Sequence, residues 1–149
     1  MNITEYTNPK EYPVRIEFFE AGGPVASNYK YSTHIKVFSK SDKIYFYYRE
    51  ERIFLSSKPR LVVSNEKELS IDLYKEFLND LFEQKILNLN KSFIPENSTL
   101  QKSNFFSFEL GDSIHVRFDY LLDQLGTPEF ESFEDIIQLI KNLLFSNLR

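Results

Sequence analysis

The sixteen residues FFSFELGDSIHVRFDY, Phe105 to Tyr120, restrict the fold more than any other part of this chain. Apolar and polar side chains alternate strictly on both sides of Gly111-Asp112-Ser113, and that period of two belongs to strands with one buried face. With a three-residue loop at 111–113, Phe106, Phe108 and Leu110 face Ile114, Val116 and Phe118. Glu109 then stands opposite His115 and Ser107 opposite Arg117 on the other face. A two-residue Gly-Asp loop would set apolar against polar positions, so three residues are expected. A sheet built this way must cover its apolar face with something else.

More strands precede the hairpin. Val14, Ile16 and Phe18 alternate with Arg15, Glu17 and Phe19. Tyr31, Thr33, Ile35 and Val37 alternate with Ser32, His34, Lys36 and Phe38. The run Lys43 to Glu50, KIYFYYRE, is β-prone on both faces, as expected of a strand covered on each side. Arg49-Glu50-Glu51-Arg52 reads as a charged turn into a further strand, RIFLSS, and a shorter one, RLVVS, follows Pro59. These runs predict an antiparallel meander.

The period then changes. Leu73, Tyr74, Phe77, Leu78, Leu81 and Phe82 recur at steps of three and four, one apolar stripe of a helix. Ser70 is placed to cap its first turn, with Leu69 and Tyr74 at the two positions of a hydrophobic staple. The helix is expected to fade near Leu87 to Asn90, and residues 91–103, with Pro95, read as a loop. A second helix is expected from Ser132, with Asp135 completing a capping box. Phe133, Ile136, Ile137, Ile140, Leu143, Leu144 and Leu148 form its apolar face. The expected fold is α+β: a single domain, 1–149, with an antiparallel sheet of about six strands, a meander plus the C-terminal hairpin. Both helices pack on one face of that sheet.

The chain of 149 residues contains no cysteine, which excludes disulfides, thiolate metal sites and cysteine nucleophiles. Fifteen Phe and nine Tyr, with no Trp, supply most of the bulk for a core. The N-terminal segment has no apolar run of signal-peptide type, and no window approaches the roughly 18 apolar residues of a membrane span. A cytoplasmic location is the resulting expectation. Charge is uneven: residues 1–64 hold ten Lys and Arg against seven Asp and Glu, whereas residues 65–149 hold eight against fifteen. Between Asp119 and Ile140 there is no basic residue, while Asp119, Asp123, Glu129, Glu131, Glu134 and Asp135 are all acidic. Such a surface repels phosphate backbones and attracts basic partners.

Motifs with chemistry are scarce. Gly22-Gly23 is followed by Pro24, which removes an amide donor, and by a strand where a phosphate-binding loop needs a helix. The glycines therefore read as a connection between strands. His34 and His115 lie in separate strands without companions at metal-ligand spacing. His34 is expected on the sheet's outer face beside Lys36, and His115 in a cross-strand pair with Glu109. The aromatic run at 44–48 lacks the glycines and basic setting of an RNA-binding sheet.

No catalytic constellation, metal site or cofactor motif emerges. The expectation is a non-catalytic protein that binds another protein, of the inhibitor or immunity type, occluding a basic partner such as a toxin or an enzyme. Contacts are expected on Asp123, Glu129, Phe130 and Glu131, with Tyr45, Tyr47 and Glu50 as a second patch. No nucleic-acid or membrane partner is expected, and the chain would be a monomer or weak homodimer. Two rival expectations are a small-molecule-binding domain or small enzyme with a pocket between sheet and helices, using Arg15, Arg117 and Tyr31 for an anionic ligand, and self-association through the second helix.

Overall fold

The structure is a computed structural model that describes residues 6–22, 29–54, 60–93 and 104–147. The Gly23-Pro24 connection, residues 55–59, most of the polar loop after Phe93, and Leu148 lie outside the described residues. Seven strands form one sheet: β1 (Val14–Gly22), β2 (Tyr29–Lys40), β3 (Lys43–Phe54), β4 (Arg60–Leu69), β5 (Lys91–Ser92), β6 (Asn104–Leu110) and β7 (Ile114–Tyr120). Their order is β4-β3-β2-β1-β6-β7-β5, antiparallel throughout except that β5 runs parallel to β7. Two helices, α1 (Ile71–Glu83) and α2 (Glu131–Asn147), complete the α+β fold. The meander grows from β1 toward the β4 edge, and the hairpin β6–β7 docks on the opposite side of β1.

The hairpin has the expected register: Phe106 faces Phe118, Phe108 faces Val116 and Leu110 faces Ile114. Gly111 opens its loop at φ +59°, a conformation that costs a residue with a Cβ but not glycine. The interior follows the period of two. Val14, Ile16, Phe18, Ile35, Val37, Ile44, Phe46, Tyr48, Phe106, Phe108, Val116 and Phe118 are all buried. Both helices cover that face. Phe82 of α1 meets the Phe108 ring edge-on at 6.1 Å, and Phe133 of α2 meets Phe118 at 5.0 Å.

Ser70 caps α1, its Oγ accepting from the Leu73 amide at 3.2 Å, and the staple residues Leu69 and Tyr74 are buried. Tyr74, Phe77, Leu78 and Leu81 fill the stripe, while Leu73 lies on its rim and is exposed. After α1 a left-handed Lys85 leads into a 3-10 turn, Ile86–Asn88, that carries the chain to β5.

Two local expectations are corrected. Arg49-Glu50-Glu51-Arg52 is not a turn: β3 runs unbroken from Lys43 to Phe54, so the expected separate strand RIFLSS begins inside it. Alternation within the strand places like-facing residues two apart, so Arg49 pairs with Glu51 at 3.4 Å and Arg52 with Glu50 at 2.8 Å. Charge alone does not break a strand when each face neutralises its own charges. Likewise, α2 begins at Glu131, after a 3-10 turn at Pro128–Phe130, so Ser132 is a helical residue and not its cap.

The centre of the core is a stack of rings. Phe118 lies 5.4 Å from Phe106, 6.1 Å from Phe130 and 5.0 Å from Phe133, and Phe130 lies 5.0 Å from Tyr120. Phe118→Ala should therefore destabilise the fold by about 3–5 kcal/mol, because the ring's burial and its packing partners are lost together. Urea denaturation of the variant checks this; a loss well under 1 kcal/mol would show that the ring stack is not the centre of the core.

Candidate functional site

With both helices on one side, the opposite face of the sheet is bare, and cross-strand registers arrange it in rows. One row runs Glu68, Tyr45, Phe38, Arg15, Glu109, His115 from β4 to β7. The next runs Glu66, Tyr47, Lys36, Glu17, Ser107, Arg117, and a third runs Ser64, Arg49, His34, Phe19, Phe105, Asp119. Aromatic rings lie among these charges. Phe38 stacks on Tyr45 at 5.8 Å, Phe19 on Phe105 at 6.3 Å, and the His34 ring meets Phe19 and Tyr47 edge-on.

Most charges on this face are satisfied within it. Glu17 Oε2 lies 2.6 Å from His34 Nε2, and its other oxygen lies 3.6 Å from Arg15. Arg117 grips Asp119 at 2.9 Å and lies 4.1 Å from the Phe105 ring centroid. His115 pairs with Glu109 at 3.9 Å, as expected, but both side chains are more than half exposed. Such a pair contributes little to stability.

Two adjoining grooves open here. The larger, about 630 Å³, lies between Arg15, Lys36, Phe38, Tyr47, Glu66 and Glu109. The smaller, about 340 Å³, shares Arg15 and Glu109 and extends to His115 and Arg117. Neither lies between sheet and helices, where Phe18, Phe106, Phe108, Phe118 and Phe130 are fully buried and fill the space.

The structure places the expected site residues unevenly. Asp123 and Glu129 are exposed in the connection from β7 to α2, and Glu131 is exposed at the first position of α2. Glu129 holds Lys91 at 2.8 Å. Phe130, expected beside them as a docking anchor, is instead fully buried, its ring packed on Phe93, Phe118, Tyr120 and Phe133. The 3-10 turn swings its side chain inward while its acidic neighbours stay outside. The second patch is also divided. Tyr45 and Tyr47 are half-buried on the bare face, whereas Glu50 falls on the other side of β3, an odd number of residues away. The same parity separates the rival set: Arg15 and Arg117 lie on the bare face, but Tyr31 points to the helical side and donates to Glu20 at 3.4 Å. No anion-binding trio is assembled.

Glu50 instead forms a small network. It accepts from the Tyr48 hydroxyl and from Arg52 Nε. Burial pushes its carboxyl up, but the Tyr48 hydrogen bond and the Arg52 guanidinium outweigh that and hold it below the ordinary 4.5. Burial, followed by the Glu50 carboxylate, pushes the Tyr48 hydroxyl up.

One constellation escaped the sequence reading. Glu20, only 5 % exposed, lies at the end of β1 on the helical side. Its Oε1 accepts from Tyr120 at 2.7 Å, and its Oε2 lies 3.8 Å from Lys141 of α2. The Lys141 ammonium also sits 5.7 Å from the Phe18 ring. Burial, reinforced by the Glu20 charge, raises the Tyr120 hydroxyl far above its ordinary value, so it stays a donor. Nearby, Asn104 Oδ1 accepts from the Ala21 amide at 2.9 Å. This cluster ties β1, β2, β7 and α2 together. Its only trace in the sequence was a glutamate at an inward position of β1, where alternation called for an apolar residue. In the core, Tyr74 Oη is a buried hydroxyl with no partner among the described residues. No group of three or more potential metal ligands occurs among the described residues.

Tyr120→Phe should cost about 1–3 kcal/mol in urea denaturation, because a buried carboxylate loses its closest donor; unchanged stability would refute the tie. Glu50 makes a separate prediction. Its native value lies below the unfolded one, so its contribution is complete above about pH 4.5 and drains away as pH falls through the lower native value. Glu50→Gln should therefore flatten the acid limb of the stability curve below about pH 4.5, measured by thermal melts from pH 7 to pH 3. An unchanged limb would show that the network carries no linkage.

No helix among the described residues is long and apolar enough to cross a membrane. No protein-family model, curated protein or solved structure matches this chain, so its functional reading rests on the bare, aromatic and charge-paired sheet face and the acidic rim beside it.

Proposed function

We propose that this protein acts without catalysis, by binding another protein, and that it is an inhibitor of the immunity type working in the cytoplasm. The observation that carries this reading is the one-sided sheet. The side facing the helices is packed with rings, while the other side leaves Phe19, Phe38, Tyr45, Tyr47 and Phe105 only partly covered. Half-buried aromatics beside paired charges are the usual material of a protein-binding surface. The rings supply contact area at low entropy cost, and the charges fix register. A shallow open groove suits a convex partner better than a small molecule, which favours enclosure.

The acidic rim adds the choice of partner. Asp123, Glu129, Glu131 and Asp135 are exposed without a basic residue between them in sequence, and Lys91 answers only Glu129. A basic partner is drawn to that rim over a distance comparable to the screening length, roughly 8–10 Å at moderate salt. It then docks on the aromatic face. Occlusion of the partner's basic site is the inhibitory step, with no bond made or broken.

The test begins with the partner captured from the native host by the tagged protein. Glu129→Lys with Glu131→Lys should slow association with that partner by about tenfold at low salt while leaving dissociation nearly unchanged, because rim charges act mainly on encounter. Stopped-flow measurements across a salt series read this directly. Equal association rates for variant and parent at every salt concentration would remove the rim from the mechanism.

A further inference from the structure

The larger groove has an order of charges that specifies what fits it. Lys36 stands directly opposite Glu17 in the register of β1 and β2, the natural place for a cross-strand ion pair. The pair is not made: Glu17 is held by His34 at 2.6 Å and by Arg15 at 3.6 Å. Lys36 turns away over the Tyr47 ring, 5.4 Å from its centroid, with no carboxylate in ion-pair reach among the described residues. On the other side of Tyr47, Glu66 of the edge strand β4 likewise has no cation in reach among the described residues. The groove thus keeps one ammonium and one carboxylate without an ion-pair partner among the described residues, on either side of an aromatic ring, while Arg15 and Glu109 beside them are paired.

Strand spacing sets the scale. Glu66, Tyr47 and Lys36 lie on successive strands, so the backbone positions of Glu66 and Lys36 stand about 10 Å apart. Arg15 and Glu109 lie on the next two strands, one row over, and the groove from Glu66 to Glu109 spans about 20 Å on the diagonal. Read diagonally, from the Glu66 row to the adjacent row of Arg15 and Glu109, the order along the groove is negative, aromatic, positive, positive, negative. An extended chain presents one face every second residue, about 6.6 Å apart, so its residues 1, 3, 5 and 7 cover that length.

Resting on the protein-binding reading above, we infer that this groove receives an extended segment of the partner carrying a cation, an apolar residue, a carboxylate and a second cation at alternate positions. The first cation meets Glu66, the apolar side chain lies on Tyr47 and Phe38, the carboxylate sits between Lys36 and Arg15, and the second cation reaches Glu109. A polyanion is refused by Glu66 and Glu109, and a purely basic segment by Lys36 and Arg15, so the pattern selects for register as well as for charge.

The probe is the blocked heptapeptide Lys-Ser-Val-Ser-Glu-Ser-Lys, compared with its charge-reversed form Glu-Ser-Val-Ser-Lys-Ser-Glu, each titrated into the 15N-labelled full chain. The first peptide should shift the amide signals of Lys36, Tyr47 and Glu66 and bind about tenfold more tightly than the second. The double variant Lys36→Glu, Glu66→Lys should reverse that preference, and both substitutions are on the sheet surface, away from the core. Equal shifts with both peptides, or none at these residues, would overturn the inference. A partner that is captured equally well by the double variant would also overturn it while leaving protein binding itself intact.

Discussion

Burial of one face of the sheet against two helices is the constraint on which the rest depends. The sheet buries its alternate residues because α1 and α2 both bring an apolar stripe to the same side, and the ring stack around Phe118 is where hairpin and helix meet. Each buried Phe contributes roughly 1.5–3 kcal/mol by leaving water, and the sum must exceed the entropy lost when the chain is ordered. Since the helices are spent on one side, nothing in the described chain covers the other. The bare face is therefore a consequence of the same packing that makes the fold stable.

Polar groups on the two sides are handled in opposite ways. Toward the helices a carboxylate is admitted only with partners: Glu20 has Tyr120, Tyr31 and Lys141, and Glu50 has Tyr48 and Arg52. On the bare face the charges can remain hydrated, and pairing sets direction more than stability. Lys36 and Glu66 matter there because they flank one groove, and because Glu17, the neighbour that could have paired with Lys36, is committed to His34 and Arg15. Along α1 the carboxylates are crowded enough that burial, helped by Glu76 and Glu83, lifts the Asp80 carboxyl above its ordinary range.

Much of this was legible in residue order. The hairpin register, the three-residue loop at Gly111, the Ser70 cap, the inward sets of β1 and β2, and the pairing of His115 with Glu109 all follow from periods of two and 3.6. Each depends on residues close in the chain or on a single strand pair. The errors have a common origin. Proximity in the chain groups Glu50 with Tyr45 and Tyr47, although parity puts it on the other face. Proximity likewise groups Phe130 with its acidic neighbours, although one 3-10 turn rotates it into the core. The charged run at 49–52 resembled a turn until strand alternation paired its charges.

What residue order determined by itself, then, is which side chains share a face and which segments are strand or helix, because those follow from local geometry and solvent preference. Which strands become neighbours was left to the tertiary structure. Only the placement of β1 between β2 and β6 sets Glu17 beside His34, leaves Lys36 without it, and brings Glu66 and Glu109 into neighbouring rows of one face. Only the docking of α2 brings Lys141 to Glu20 across more than a hundred residues of sequence. Such contacts join positions far apart in the chain, and no local periodicity encodes the distance between them.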